Sequence, residues 1–577
     1  MYILGISCYY HDAAACLIEN GKIVAAAEEE RFSRKKHDTR FPINAINFCL
    51  KKAGITGNKL DHVVFYEKPL IKFERILQQH LEAFPFSFWT FYQTIPSWLN
   101  EKLRIPRTLK KQLGYTKDIL YLDHHQSHAA SSFLVSPFKK AAIMTVDGVG
   151  EWATTTFGLG EGNNITINKE IHFPHSIGLL YSTITAFLGF KVNNDEYKVM
   201  GLSPYGKPVY YEKFKKLLTL FDDGSYKLNM SYFVYHYKNK MPSRKMSQLL
   251  GPSRKPESKL EQRHKDIAAS LQKLTEEVIF HMLNALHKET KCDNLCMAGG
   301  VCLNSVANGK IKKNTPFKNI YIQPAASDAG TSLGAAFYVY NTILDKPRTT
   351  IMNTAYTGPS FTDKEIKTFL DENNIKYTEF KDDKELIKQT SSLIWKNNVI
   401  GWFQGSMEWG PRALGARSII SNACNPDMKD IINAKVKHRE MFRPFAPAVT
   451  AEDAKKYFEL DKEDEKFMLF VYPIKKQYHK KIPAVTHIDG SGRLQTITKE
   501  QNYLYHGVIK EFGKLSGIPI VINTSFNIRG EPIVCTPYDA YRCMMGTGID
   551  YLVIGNFLVK RDDNPRDKWD SESLAKD

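Results

Sequence analysis

The stretch YILGISCYYHDAAACLIENGKIVAAAEEE, residues 2–30, reads as three β-strands in succession. YILGIS is an apolar strand with His11 and Asp12 just past its end, AAACLIE is a second strand, and Asn-Gly supplies the tight turn into KIVAAAEEE. The same pattern returns at 140–170, where KAAIMTVDG, VGEWATTTFGLG and EGNNITINKEI form another set. In both sets an acidic residue follows the first strand. One local pattern used twice predicts a duplicated α/β core.

Sugar kinases, actin and Hsp70 are built on such a core, and in them an Asp past the first strand faces phosphate or metal. The pieces that follow suit it. Residues 265–289 have helical apolar spacing. NLCMAGGVCLNSVANGK (294–310) reads as strand, Gly-Gly turn and helix start. IYIQPAASDAGTSLGAAFYVY (320–340) repeats that logic with Asp328 at the turn. Bare turn glycines beside a helix N-terminus suit a phosphate or adenosine contact, or an ordinary strand–helix turn.

YLDHHQSHAASSF, residues 121–133, carries three histidines in five positions. His124 and His128 are four apart, which on a helix sets both imidazoles on one face where one metal ion could sit. The pair alone names neither the metal nor its chemistry.

The chain has 577 residues and a net charge of +17. That length allows two to four domains, and the charge suits anionic partners or a basic surface. Nine cysteines, with no CxxC among them, fit reduced buried thiols in a cytoplasmic protein. The chain opens directly as a strand, so no signal peptide is expected. FPFSFWTFYQTIPSWL (84–99) is too short and proline-broken to span a bilayer. Its aromatics are expected to pack a helical insertion or line a substrate cleft, and no membrane partner is expected. Residues 236–265 hold nine Lys or Arg against two Glu, and read as a mobile basic loop.

A boundary is expected within 342–360, giving domains of 1–345 and 355–577. The second alternates helices and strands as another α/β domain. Its cations cluster in Gly- or Pro-bearing segments: Arg412, Arg417, Lys437, Arg439, Arg443 and Arg493. Asn523, Ser525 and Asn527 alternate at the end of IPIVINTS and would share a strand face. Together they describe a pocket for a small anion with an amide or carbonyl.

GISCYYHDAAACLIENGKIVAAAEEERFSRKKHD, DHHQSHAASSF, EYKVMGLSPYG, KHREMFRPFAP and NTSFNIRGEPIV resemble the NodU/CmcH/TobZ family of O-carbamoyltransferases along nearly the whole chain. The resemblance implies a larger domain similar to the metal-bearing subunit of the threonylcarbamoyl tRNA-modification machinery, and a smaller YrdC-like domain. The YrdC-like domain would make carbamoyl adenylate from ATP, with Mg2+, and carbamoyl phosphate. The larger one would pass the carbamoyl group to a hydroxyl of a small natural-product or sugar acceptor.

Residue by residue, the resemblance implies that His124, His128, Asp147 and Asp328 ligate a divalent metal, iron by the family pattern, while the donor set itself also suits manganese or zinc. His125 is expected to point away. His11, Asp12 and Asp147 fall at catalytic positions, with His11 and Asp12 beside nucleotide and metal. Lys36 matches a position near the phosphates. Gly178, Asn304 and Thr331, with Asp328, lie on segments that contact the adenylate. Arg412, Lys437, Arg443, Arg493, Asn523 and Ser525 match the carbamoyl phosphate and ATP pocket. Two other readings are a tRNA threonylcarbamoyl-type enzyme and a nucleotide-switched actin- or Hsp70-like binding module. The fused domains weigh against the first, the cation-rich second domain and HxxxH against the second. Nucleic acid is therefore not an expected partner. Neither the acceptor nor the oligomeric state is written in the sequence.

Overall fold

A computed structural model describes residues 1–565 except 441 and 463. The chain divides into two compact units, one of residues 1–29 and 37–352, the other of residues 30–36 and 353 onward.

The first unit holds two five-stranded sheets. In one, β1 (Tyr2–Ser7), β2 (Ala14–Glu19), β3 (Lys22–Glu28), β4 (His62–Phe65) and β5 (Ile119–Tyr121) lie in the order β3-β2-β1-β4-β5. In the other, β6 (Lys140–Val146), β7 (Ala153–Glu161), β8 (Asn164–His172), β9 (Asn294–Ala298) and β10 (Asn319–Ile322) lie in the order β8-β7-β6-β9-β10. Each sheet has an antiparallel three-strand meander followed by two parallel strands. The two sheets therefore share one topology, and this unit is the duplicated actin/Hsp70/sugar-kinase-like core.

The parallel strands need crossover helices. Between β4 and β5 stand α1 (Pro69–Glu82), α2 (Phe88–Asn100) and α3 (Ile105–Leu113). After β5 comes α4 (His124–Phe133); α5 (Ile177–Phe187) and the long α6 (Gln262–Thr290) fill the second half. After β10 comes α7 (Asp328–Phe337), so α4 and α7 hold equivalent places in the two halves. Both carry small residues, Ala and Ser in α4 and Ala, Ser and Gly in α7, and they pack backbone to backbone. A Cβ on Gly334 would lie 1.9 Å from the Ser127 carbonyl oxygen. That close approach packs the first turn of α4 against the second turn of α7.

The insertion departs from expectation. Trp98 is buried, yet Phe84, Phe86, Phe88, Trp89 and Tyr92 stay exposed, so α2 packs through one face only. Residues 236–265 are also more built than a basic loop suggests. They include the helix Arg244–Leu250, whose Met246 and Leu250 are buried, and Arg254 donates to the Leu188 carbonyl at 2.9 Å.

The second unit is an eight-stranded mixed sheet with helices against it. Residues Ile400–Phe403, Arg417–Asn422 and Ile520–Ser525 are neighbouring central strands. Trp402, Ile420, Val521, Tyr505 and Phe512 form its core. Residues 30–36 join this unit, not the first domain to which the sequence reading gave them. Arg31 donates to the Gly410 carbonyl at 2.8 Å, and Arg34 to those of Pro532 and Ile533 at 2.8 and 2.7 Å. Each of the nine cysteines is free, and all but Cys424 are buried.

Candidate functional site

In the first unit, α4 presents His124 and His128 from one face, Asp147 follows β6, and Asp328 opens α7. All four are buried, and their ligand atoms lie within 4.8 Å of one another. His124 Nε2 is 3.1 Å from Asp147 Oδ2 and 3.8 Å from Asp328 Oδ1; His128 Nε2 is 3.6 Å from each carboxylate. Both ring nitrogens of His128 and Oδ2 of Asp328 have no hydrogen-bond partner. Orphaned polar atoms converging in a dry site carry a large desolvation cost that one divalent cation would relieve, so the residues fit a metal. The donor set of two imidazoles and two carboxylates suits iron(II), manganese(II) or zinc(II).

Electrostatics support the pairing. Burial opposes charge on His128, but the Asp147 and Asp328 carboxylates beside it raise it to about 9. Burial likewise opposes charge on Asp147, and the two histidines outweigh it and hold the carboxyl well below its ordinary range. His125 turns away as expected, its ring held by Thr145 Oγ1 at 2.6 Å and the Ala153 carbonyl at 2.9 Å.

Of the residues that hold these groups, Glu151 was missed in the sequence. Glu151 accepts hydrogen bonds from the His124 backbone N–H at 3.1 Å to both oxygens, capping α4 where Asp123 does not. The Gly-Gly turn serves Asp147 directly: Gly300 N–H donates to Asp147 Oδ1 at 3.1 Å, and Gly299 has a φ of 101° with no room for a Cβ beside Val146. Gly178, in the first turn of α5, is small for the same reason, because a Cβ there would be 2.6 Å from the Asp147 carbonyl.

His11 and Asp12 form a second cluster with His37. Asp12 is 2.9 Å from His11 Nδ1 and 2.7 Å from His37 Nδ1; His37 Nε2 meets Asn194 and His11 Nε2 meets the Asn193 carbonyl. Tyr9, Asp12, His37 and Asn193 all have positive φ, so the surrounding structure holds a strained backbone there. Burial opposes charge on His11, but Asp12 raises it to about 10. His11 is therefore a cation at neutral pH. Asn304 and Thr331 are engaged internally. Asn304 exchanges two hydrogen bonds with Gln272 and caps a short helix, and Thr331 donates to the Asp328 carbonyl.

A cavity of about 470 Å³ opens in the same unit, walled by Phe86, Trp152, Phe173 and Tyr237 with Glu82 at its edge. The buried Arg75 guanidinium stacks 4.9 Å from the Phe173 ring. Tyr10 feels both groups: burial and the charges of Asp147 and Asp328 push its phenol up, while Arg75 pulls it down.

In the second unit the cations gather. Burial, then the charges of Arg412, Arg439 and Arg443, hold the Arg493 guanidinium well below its ordinary value. Lys437 ends a π-helical turn, is 3% exposed, and is likewise lowered by burial and by Arg439, Arg443 and Lys36. Its ammonium donates to the Ser525 and Asn527 carbonyls at 2.6 and 2.8 Å. Asn523 donates to the Ala413 carbonyl at 3.0 Å. Arg417 does not join this pocket. It is fully buried, donates to the carbonyls of Gln404, Ala416, Pro359 and Gly405, and stacks 3.5 Å from Phe403. It is a structural pillar.

Residues 2–337 match the carbamoyltransferase N-terminus family and residues 391–561 the carbamoyltransferase C-terminus family. The chain is 47% identical to an uncharacterised protein from Synechocystis sp., covering 99% of both chains. It is 35% identical to the nodulation protein NolNO of Sinorhizobium fredii over 98% of this chain and 81% of that one. It is 36% identical to the nodulation protein NolO of Bradyrhizobium diazoefficiens over 79% and 81%.

Proposed function

The chain belongs to the carbamoyltransferase family, and from that premise we propose that it is an ATP-dependent O-carbamoyltransferase working through carbamoyl adenylate. The observation that carries the proposal is the cation cluster of the second unit. Burial, and after it the charge of Arg412, Arg439 and Arg443 around them, depresses Arg493 and Lys437. Such a cluster is relieved by a polyanion, and ATP with carbamoyl phosphate supplies one.

There, carbamoyl phosphate loses its phosphoryl group to water. The resulting carbamate oxygen attacks the α-phosphorus of ATP, and pyrophosphate leaves. Arg443 and Arg493 hold the phosphate oxygens while charge builds on them, and Lys437, anchored by Ser525 and Asn527, adds positive charge beside them. The carbamoyl carbon of the adenylate then accepts an acceptor hydroxyl, releasing AMP and a proton. His11, charged at neutral pH, sits where an anionic adenylate phosphate would be stabilised, and Asp12 and His37 orient it. A metal bound by His124, His128, Asp147 and Asp328 would act as a Lewis acid on a carbonyl. The aromatic cavity beside Arg75 is the proposed seat of a small-molecule acceptor, its ring walls giving apolar contact and Glu82 a hydrogen-bond acceptor.

The test is pyrophosphate release from ATP. It is expected to depend on carbamoyl phosphate and to need no acceptor. Release that ignores carbamoyl phosphate, or that requires threonine and bicarbonate instead, would overturn the reading.

A further inference from the structure

Among the described residues, eighteen large apolar side chains are exposed, and eight of them lie between Leu70 and Leu99. Helix α2 explains the concentration. Phe91, Ile95 and Trp98 form its inward stripe, with only Trp98 fully buried. Phe88, Trp89, Tyr92 and Leu99 form a second stripe facing out, 48–72% exposed. A helix apolar on both faces belongs in an apolar surrounding, and here one face has none. At 13 residues α2 is too short to cross a bilayer. Phe84 and Leu81, at 67% and 73% exposure, extend the patch to the end of α1.

The chemistry around the patch selects what covers it. Helix α3 buries Ile105, Leu109 and Leu113 and turns Arg107, Lys110 and Lys111 outward. Arg104 and Lys117 flank them, also exposed. Residues 84–118 hold six Lys or Arg against only Glu101 and Asp118. Lys110 lies 3.8 Å from Asp118 across open solvent, a weak pairing. A second copy would set this basic helix against its own like charge, which disfavours a symmetric dimer through this face. Phe, Trp and Tyr are the side chains that settle at a lipid–water boundary, and a cationic rim meets anionic headgroups.

We propose that the α2 aromatic face and the α3 basic face together dock this protein on the surface of an anionic lipid bilayer. The aromatic rings enter the headgroup region while Arg104, Arg107 and Lys111 meet lipid phosphates. The protein lies on the membrane and does not span it.

The full chain is sedimented with phosphatidylcholine vesicles, and with vesicles carrying a share of phosphatidylglycerol, at low and high salt. Binding is expected to the anionic vesicles alone, weakening at high salt. Arg107→Glu/Lys111→Glu and, separately, Trp89→Ser/Tyr92→Ser should each lower binding roughly tenfold or more, with circular dichroism and pyrophosphate release unchanged. Failure to bind either vesicle overturns the proposal. So does binding that both double variants retain. A concentration-dependent dimer in gel filtration, lost in Trp89→Ser/Tyr92→Ser while vesicle binding is absent, would assign the patch to a second copy instead.

Discussion

His128 and Arg417 are both buried polar side chains, and their surroundings give them opposite roles. His128 has no hydrogen-bond partner and faces two carboxylates at 3.6 Å. Arg417 is met by four carbonyls and a ring. His128→Ala should therefore empty the metal site, with metal content by elemental analysis falling from about one per chain and affinity falling at least roughly tenfold, while the fold persists. Arg417→Met should leave several buried carbonyls unmet and lower stability in urea by about 3 kcal/mol or more. The sequence offered His124, His128, Asp147 and Asp328 as candidates because each lies in a distinctive run, and the fold brings the four together. It grouped Arg417 with the pocket cations because Gly- and Pro-bearing neighbours look alike, and only tertiary packing reveals which guanidinium is spent on backbone. Glu151 and His37 left no such local mark. A pH effect also belongs to single residues. His11 is raised to about 10, so its contribution is complete below about 6.5, the ordinary His value, and is lost as pH rises through about 10. Asp12 is lowered, so its share is present above about 3.9 and lost toward acid. His11→Gln should cost about 1.5–3 kcal/mol near pH 6, and the gap to wild type should close above about pH 10 in urea melts.

At the scale of elements, the site depends on α4 and α7 meeting backbone to backbone. Gly334→Ala would push against the Ser127 carbonyl, and is expected to cost about 1–3 kcal/mol in urea unfolding and to weaken metal binding together. An unchanged metal affinity with lost stability would separate the helix contact from the site. The strand pattern of residues 2–30 and 140–170 was legible because period-2 patterning, an Asn-Gly turn and an acidic residue after the first strand are all local signals. The parallel strands were partly legible from their turns. The orientation of α2 was not: periodicity tells that its aromatics are apolar, but both of its faces are, so nothing in the string says which one packs. The Gly-Gly turn suited either a ligand contact or an ordinary strand–helix turn, and in the fold its glycines pack closely beside Val146 and Asp147.

At the scale of the molecule, the proposed function gives the two units two chemistries, and long-range contacts decide where each unit begins. Residues 30–36 sit between first-unit segments in sequence and pack with the second unit, through Arg31 and Arg34. No local pattern announces that, and it brings the charge of Lys36 to bear on Lys437, in the cation cluster proposed to hold phosphate. The account predicts that the two half-reactions separate. Arg443→Ala should lose carbamoyl-phosphate-dependent pyrophosphate release, by roughly 2–4 kcal/mol in barrier height, while keeping its metal. The measurement that tests the central claim most directly is the mirror case: Asp328→Asn, shown to be folded, incubated with ATP and carbamoyl phosphate and then quenched. The account predicts wild-type pyrophosphate release and bound carbamoyl adenylate, with no carbamoyl transfer to alcohol. Absence of both pyrophosphate and adenylate would contradict it, because the metal cluster would then take part in activation.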